Sequence, residues 1–402
     1  MATTLHLRSE SKPLEHRSAL TPTTAKALLD AGYKVNVERS PERIFEDSEF
    51  EAVGATLVPE GSWVDAPADH IIVGLKELPE DKFALKHTHV QFAHCYKQQG
   101  GWQDVLSRFP QGGGTLLDLE FLTDDTGRRV AAFGYHAGYA GAALAVEAWA
   151  YQLTNPGSRM PKVSSYANQD LLLKDVRSAL QSGSEKAGRQ PRVLVIGALG
   201  RCGRGAVDLC RQAGIADENI LKWDLPETKK GGPFEEIVES DIFVNCIYLS
   251  DPIPPFLNKE SLSSPKRNLS VVCDVSCDTT NPHNPIPIYT ENSTFVNPTL
   301  PVPGYENPPL SVISIDHLPS LLPREASEAF SQALLPSLLQ LKERKTSRVW
   351  QQAEALFNEK VKTLPEGLRA AWEKVTGQAQ GSDKKPNGED RFDGIGMGAG
   401  CG

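Results

Sequence analysis

The chain has no apolar run near the roughly 20 residues that a membrane-spanning helix needs, and no block of lysine and arginine. The first gap excludes a helical membrane protein. The second, with a net charge of −9, argues against nucleic acid as a partner. The opening, MATTLHLRSESK, lacks the apolar core of a signal peptide. Cysteine is sparse: there are seven, an odd number, without zinc spacing, and Cys273 and Cys277 have no second pair or histidine cluster to complete a metal site. That usage excludes a disulfide scaffold, leaves the metal list empty and fits a reducing, cytoplasmic setting. What remains is ordinary for a soluble protein. At 402 residues, 40% apolar and 23% charged, it is long enough for two domains with substantial cores.

The most informative stretch is Pro191 to Cys210, PRVLVIGALGRCGRGAVDLC. Val193 to Ile196 reads as a buried strand, a glycine turn with Gly197, Gly200, Gly203 and Gly205 follows, and a helix is expected from Ala206 to Ala213. Strand, glycine turn and helix together set a diphosphate on a helix N-terminus, and glycine lets the backbone approach the phosphate oxygens. The G-x-x-G-x-x-G spacing is weak alone, and an ordinary tight strand–helix turn would share it. The next strand, Ile220 to Trp223, ends in Asp224. An acid roughly 20 residues past the glycines accepts the ribose hydroxyls of NAD and repels the extra phosphate of NADP. Lys229 and Lys230 nearby keep NADP open.

The first half reads as strands alternating with helices or loops: Thr3–Leu7, a helix from about Pro22 to Gly32, Val35–Val37, a solvated stretch at Ser40–Glu51, then Asp69–Leu75, His89–Ala93 and Leu116–Leu119. This predicts an open parallel sheet, in which ligands bind outside the carboxyl ends of the strands. Lys76, His94 and Glu120 each follow a different strand at that end. Each alone reads equally as a solvated lysine, a structural histidine or a surface glutamate; together they point to one site. Arg128 and Arg129, in DDTGRRVAAFG, are either a solvated turn or a clamp for carboxylate or phosphate. Gly138–Leu153 is expected as a buried helix, Gln169–Leu180 as a helix, and Gln181–Gln190 as a polar linker. Asp241–Ile247, ending at Tyr248, and Val271–Val275, followed by Ser276, Cys277 and Asp278, are expected strands whose exits frame the cofactor; Cys202 and Cys246 are candidates to approach and pair there. A helix is expected from Arg324, another from Val349 to Gln378, and the Gly-rich end reads as disordered.

With these residues in view, the N-terminal run with Glu15, Arg17 and ALTPTTAKALLDAGYKVNVE resembles the alanine dehydrogenase and transhydrogenase group. Over roughly residues 3–350 the chain more closely resembles the fungal NAD-dependent, lysine-forming saccharopine dehydrogenase family, through IIVGLKELPE, HVQFAHCYKQQGGWQDVL, GRRVAAFG, VLVIGALGRCGRGAVDL, LKWDLPETKKGGPF, FVNCIYLS, DTTNPHNPIPIY and SVISIDHLPSLLPREAS. The resemblance implies an α/β fold of two Rossmann-like, doubly wound parallel-sheet domains with a cleft between them: 1–135 plus 325–376 for substrate and catalysis, 136–324 for NAD, and a disordered tail at 377–402. It implies NAD-dependent oxidation of saccharopine with water to lysine and 2-oxoglutarate, with lysine and 2-oxoglutarate as substrates in reverse, in a cytoplasmic monomer.

Residue by residue, it implies Lys76 as the base toward the secondary amine and His94 as the acid–base group for imine hydrolysis, with Glu77 and Glu120 tuning their pKa values. Arg17, Lys76, Lys97, Gln99, Arg129, Phe133, Ser276, Cys277 and Asp278 match substrate positions, although the family pattern has a small residue where Cys277 stands. Arg128, Gly200, Arg201, Asp224, Thr228, Tyr248, Val275, Ile315, Asp316, His317 and Leu318 match cofactor positions. The tail beyond about Trp350 diverges, and it ends Gly-Cys-Gly where some members carry a peroxisomal Ser-Lys-Leu type tripeptide. Two other readings fit parts of the pattern: an alanine-dehydrogenase-like enzyme using ammonia, and a non-catalytic NAD-binding module. Against the first stands the density of basic pocket residues, which suits a tricarboxylate.

Overall fold

In the computed structural model the residues described are 2–98, 100–249, 251–277 and 283–369. They fall into two compact units, one reaching to Ala132 and resuming at Ser327, the other running from Phe133 to Ala326. Among the described residues no helix is long and apolar enough to cross a membrane.

The first unit contains β1 (Thr4–Leu7), α1 (Pro22–Asp30), β2 (Lys34–Glu38), α2 (Asp47–Ala52), β3 (Thr56–Val58), β4 (Ile71–Val73), β5 (Thr88–Gln91), α3 (Trp102–Gly112) and β6 (Thr115–Asp118). Its sheet runs β3-β2-β1-β4-β5-β6, parallel at every pair. That order is the doubly wound one, with its reversal between β1 and β4. Local signals agree: Thr21 caps α1 reciprocally with Thr24, and Pro22 occupies the first turn. β3 and α2 fall in or beside the stretch expected as solvated loop. Phe45 and Phe50 are buried there in edge-to-face contact, centroids 6.2 Å apart; two isolated aromatics gave no periodicity to read. After Ser327 the chain returns to this unit. Ser327 and Ser331 hydroxyls bond the Ser18 amide and Thr24 hydroxyl, and the helix Arg348–Lys362 sends Phe357 and Val361 into the core beside Phe109 and Leu116. That helix stops before Pro365, short of the expected Gln378, whose position lies outside the described residues.

The second unit contains α4 (Gly134–Thr154), α5 (Gln169–Ala187), β7 (Val193–Ile196), α6 (Arg201–Ala213), β8 (Ile220–Trp223), β9 (Ile242–Asn245), β10 (Val271–Asp274), β11 (Leu300–Glu306) and β12 (Pro309–Ile313). The sheet order is β11-β12-β10-β9-β7-β8. All pairs are parallel except the β11–β12 hairpin, which the sequence reading missed because Pro301 and Pro303 interrupt its alternation. Of the stretch expected as a linker at Gln181–Gln190, residues 181–187 are instead the end of α5, with Gly183 set against Trp149 and Ala150 of α4, and only 188–190 lead on toward β7.

The glycines of the turn divide into two roles. Gly197 has φ +81° and lies against Ile247 just past β9; an added Cβ would meet Ile247 Cγ2 at 2.5 Å. The helix begins at Arg201, not Ala206, so Gly203 and Gly205 lie inside it. A Cβ on Gly203 would meet Gly197 O at 2.1 Å, and on Gly205 the Tyr135 carbonyl oxygen at 1.9 Å. These two serve close packing of helix on strand and helix on helix, and their poor helix propensity is what hid the helix start. From the other side, a Cβ on Gly138 of α4 would meet Cys202 O at 1.9 Å. Gly→Ala in a helix interior ordinarily gains about 1 kcal/mol. Gly138→Ala is expected to lose about 1–3 kcal/mol instead, read as a lower urea midpoint; a raised midpoint would show that α4 and α6 do not meet at this distance.

Candidate functional site

In the first unit four neighbouring strands, β1, β4, β5 and β6, end side by side, so the residues just beyond them gather whatever their distance in sequence. Lys76 follows β4, is 4% exposed, and lies near a buried pair, Glu15 and Arg17. Arg17 donates through Nε to Glu15 Oε1 (2.8 Å) and through Nη2 to Oε2 (2.7 Å), the two-pronged geometry of guanidinium on carboxylate. Burial works to raise the Glu15 carboxyl, but the charge and hydrogen bonds of Arg17, helped by Lys76, hold it at about 2. Lys76 is shifted downward, first by burial and then by the Arg17 guanidinium; Glu15 and Glu77 oppose this without reversing it.

His94 follows β5 in the left-handed region, φ +50°, a conformation that costs a non-glycine residue about 1–3 kcal/mol. Its Nδ1 hydrogen-bonds Glu77 Oε1, and its ring lies nearly parallel to Phe92, centroids 6.2 Å apart at 28°. Partial burial would raise Glu77, yet the His94 hydrogen bond and charge, with Lys76, bring it to about 2. An ionised acceptor makes Nδ1 the donating nitrogen, so that in the neutral ring the lone pair lies on Nε2. Glu120 follows β6 and takes the Lys97 ammonium at 2.6 Å. Thus Lys76, Glu77 and His94 sit together, Lys97 joins Glu120, and Arg17 is tied to the group through Glu15.

Asp118, the last residue of β6, was not singled out from sequence. It is 2% exposed, with Oδ1 accepting from the Glu120 amide (2.9 Å) and Oδ2 from the Ala93 amide (3.3 Å). One carboxylate thereby ties the His94 exit to the Glu120 exit. Burial pushes its pKa up to about 7 against the pull of the Glu120 amide. Asp118 carries a signal in the sequence, an acid set within the apolar run Thr115–Phe121, whereas Glu15 stands among charged neighbours and carries none. Arg128 is exposed on a turn closed by Asp124, which accepts from the Thr126 and Arg128 amides, and Arg129 is half-buried, bridged to Thr123. Gln99 lies outside the described residues.

In the second unit the sheet reverses between β7 and β9, with the glycine turn on one side and Cys246 to Tyr248 on the other. Gly200 caps α6 and has no side chain of its own to bond the first-turn N–H groups, Leu199, Gly200 and Arg201 are exposed, and a Cβ on Gly200 would meet only Gly197 O, at 3.3 Å. Asp224 is half-buried at the end of β8, with Oδ2 accepting from the Leu199 amide (3.0 Å) and Oδ1 from the Leu225 amide (2.9 Å). The buried Thr228 donates its hydroxyl to the Asp224 carbonyl (3.0 Å). A 13-residue helix starting from a glycine cap, with room for a ligand at Gly200 and an acid on the next strand, fits the diphosphate and ribose of a dinucleotide.

Past β10, Ser276 is half-buried and donates to Asp274 Oδ1 (2.7 Å); Asn245 donates to the same oxygen (3.0 Å) and Tyr289 to Oδ2 (2.6 Å). Cys277 is buried with φ +36°, and Asp278 lies outside the described residues. Phe133 is buried at the start of α4. Val275, Ile315 and Leu318 have their side chains in the core, so what they offer a ligand is backbone. His317 and Asp316 hydrogen-bond side by side at 2.5 Å, and Tyr248 is 40% exposed. Cys202 and Cys246 are both buried and both stand as thiols.

Residues 6–140 match the family model "Alanine dehydrogenase/PNT, N-terminal domain". The chain is 69% identical over 365 residues to the saccharopine dehydrogenase (NAD(+), L-lysine-forming) of Neurospora crassa, covering 90% of this chain and 98% of that protein. It is 67% identical over 366 residues to the protein of the same name from Emericella nidulans, with the same coverage. A solved structure of L-alanine dehydrogenase superposes on 93% of this chain and 100% of its own, TM-score 0.60 at 15% identity, a likeness of fold. High identity across nearly the full length of both fungal relatives makes this chain a member of the NAD-dependent, lysine-forming saccharopine dehydrogenase family.

Proposed function

We propose that the chain catalyses NAD-dependent oxidative cleavage of L-saccharopine by water to L-lysine and 2-oxoglutarate, the final step of lysine formation by the α-aminoadipate route. The observation that carries this is a buried lysine amine, lowered in pKa, beside a carboxylate-oriented histidine in a chain of this family. Hydride can leave a carbon only when the attached nitrogen has a free lone pair, so the secondary amine must first lose its proton. Lys76 takes it, and its burial next to Arg17 favours the neutral, accepting form. Water then adds to the substrate imine and the carbinolamine collapses. His94, held through Nδ1 by Glu77, offers Nε2 to carry protons in both events. Saccharopine has three carboxylates, and Arg17, Lys97 and Arg129 supply positive charge for them. Lys97 already holds Glu120, so a substrate carboxylate shares or displaces that contact. The α6 N-terminus, Gly200, Arg201, Asp224 and Thr228 hold NAD, which when bound supplies the hydride acceptor. We further read the enzyme as a cytoplasmic monomer; thiols at all six described cysteines suit a reducing compartment.

NADH absorbance should fall on addition of 2-oxoglutarate with lysine, and not with ornithine or ammonium; loss with ammonium alone would move the chain to amino acid dehydrogenation. Lys76→Met should bind NADH normally by fluorescence while kcat falls roughly 10²–10⁴-fold. In the parent enzyme kcat/KM for saccharopine should drop as pH falls through the lowered Lys76 pKa, because protonation removes the base. For cofactor choice, Asp224→Ser should raise KM for NAD by roughly tenfold or more and narrow the preference over NADP, measured by initial rates with both cofactors.

A further inference from the structure

We propose that Arg8 and Glu10 are positioning residues whose buried ion pair grips the backbone of Lys76 from both sides and so aims its amine. The proposal rests on the reading of Lys76 as the base. Arg8 is 2% exposed and Glu10 9%, with Arg8 Nη1 at 3.3 Å from Glu10 Oε2. Glu10 spends both oxygens on successive amides: Oε1 accepts from Leu75 (2.7 Å) and Oε2 from Lys76 (2.9 Å). Arg8 Nη2 donates to the Lys76 carbonyl, Nη1 also to the Ser9 carbonyl (3.1 Å), and the Arg8 amide to the Val73 carbonyl (2.9 Å). The amide and the carbonyl of Lys76 are therefore both held by one pair.

The pair has this reach because of where it sits. Arg8 follows β1 and Lys76 follows β4, the adjacent strands across which the sheet reverses. Gly74 makes room: an added Cβ there would lie 2.3 Å from Arg8 Nε and 2.6 Å from its Cζ. Buried ion pairs are a weak source of stability compared with apolar packing, so the specific contacts say more about this pair than its charges do. Fixing the Lys76 backbone also fixes the start of Glu77, which orients His94. An amine displaced by about 1 Å from its reacting partner loses roughly 100-fold in rate.

The test compares Glu10→Gln and Gly74→Ala with the parent enzyme. Glu10→Gln keeps the shape but offers one acceptor oxygen to two amides and removes the charge facing Arg8. Gly74→Ala leaves all three charged side chains in place and pushes Arg8 off the Lys76 carbonyl, so it serves if Glu10→Gln does not fold. For each, kcat and KM for saccharopine are measured across pH, NADH binding is followed by fluorescence, and the pKa of Lys76 is obtained by competitive acetylation and mass spectrometry. Expected are a kcat lower by roughly 100-fold with KM and NADH affinity near parent values, and an acid limb and Lys76 acetylation profile that both move away from those of the parent. Unchanged kcat and unchanged Lys76 labelling in a folded variant would overturn the proposal, as would a rise in KM alone. If the parent enzyme proves inactive on saccharopine, the functional reading fails on its own, while the labelling of Lys76 still decides whether the pair sets its environment.

Discussion

A parallel strand that stops leaves amides and carbonyls pointing where the next rung would have been, and these need other partners. In both units the chain answers with a polar side chain at or just past the strand end. Asp118 takes the amides of Ala93 and Glu120. Asp274 takes the Ser276 amide (3.2 Å) as well as the side chains of Asn245, Ser276 and Tyr289, and Asp224 takes the amides of Leu199 and Leu225. Each exit also carries residues proposed above for the chemistry, so the same strand ends bear on both. Carboxylates suit this position because one group accepts from two donors.

The same economy leaves the cluster in the first unit close to electrically balanced. Arg17 is matched by Glu15, Lys97 by Glu120 and Arg8 by Glu10. Glu15, held at about 2, remains ionised and keeps its buried guanidinium partner fixed, whereas the Lys97–Glu120 pair has its lysine more than half exposed.

Much of this could be read from residues alone. The strands that end at Lys76, His94 and Glu120, the glycine turn and Asp224 were legible because apolar runs stop abruptly at polar residues. What escaped had physical causes. The start of α6 was hidden because Gly203 and Gly205 are poor helix formers, placed there for a contact with backbone that no sequence displays. The β11–β12 hairpin carries prolines along an edge, against strand propensity. Asp118 and Glu10 escaped because a carboxylate counts as surface until a structure shows which amides it faces. Chain-local pattern gave the elements and their ends; the hydrogen bonds that couple one exit to another lie between segments far apart in sequence.

The division of the first unit into two pieces, reaching to Ala132 and resuming at Ser327, bears on how the protein is made. The second unit, Phe133 to Ala326, is continuous and emerges from the ribosome whole. The first emerges missing the helix that brings Phe357 and Val361 to its core and the serines that bond Ser18 and Thr24. Its sheet must therefore wait, with the side of Phe109 and Leu116 uncovered, until translation has passed through the entire other unit. At about 5–20 residues per second that interval is on the order of ten seconds or more, long enough for the nascent chain to call on chaperones. Closing so long a loop adds only a few tenths of a kcal/mol per modest increase in length. The discontinuity thus burdens the order of synthesis far more than the stability of the finished fold.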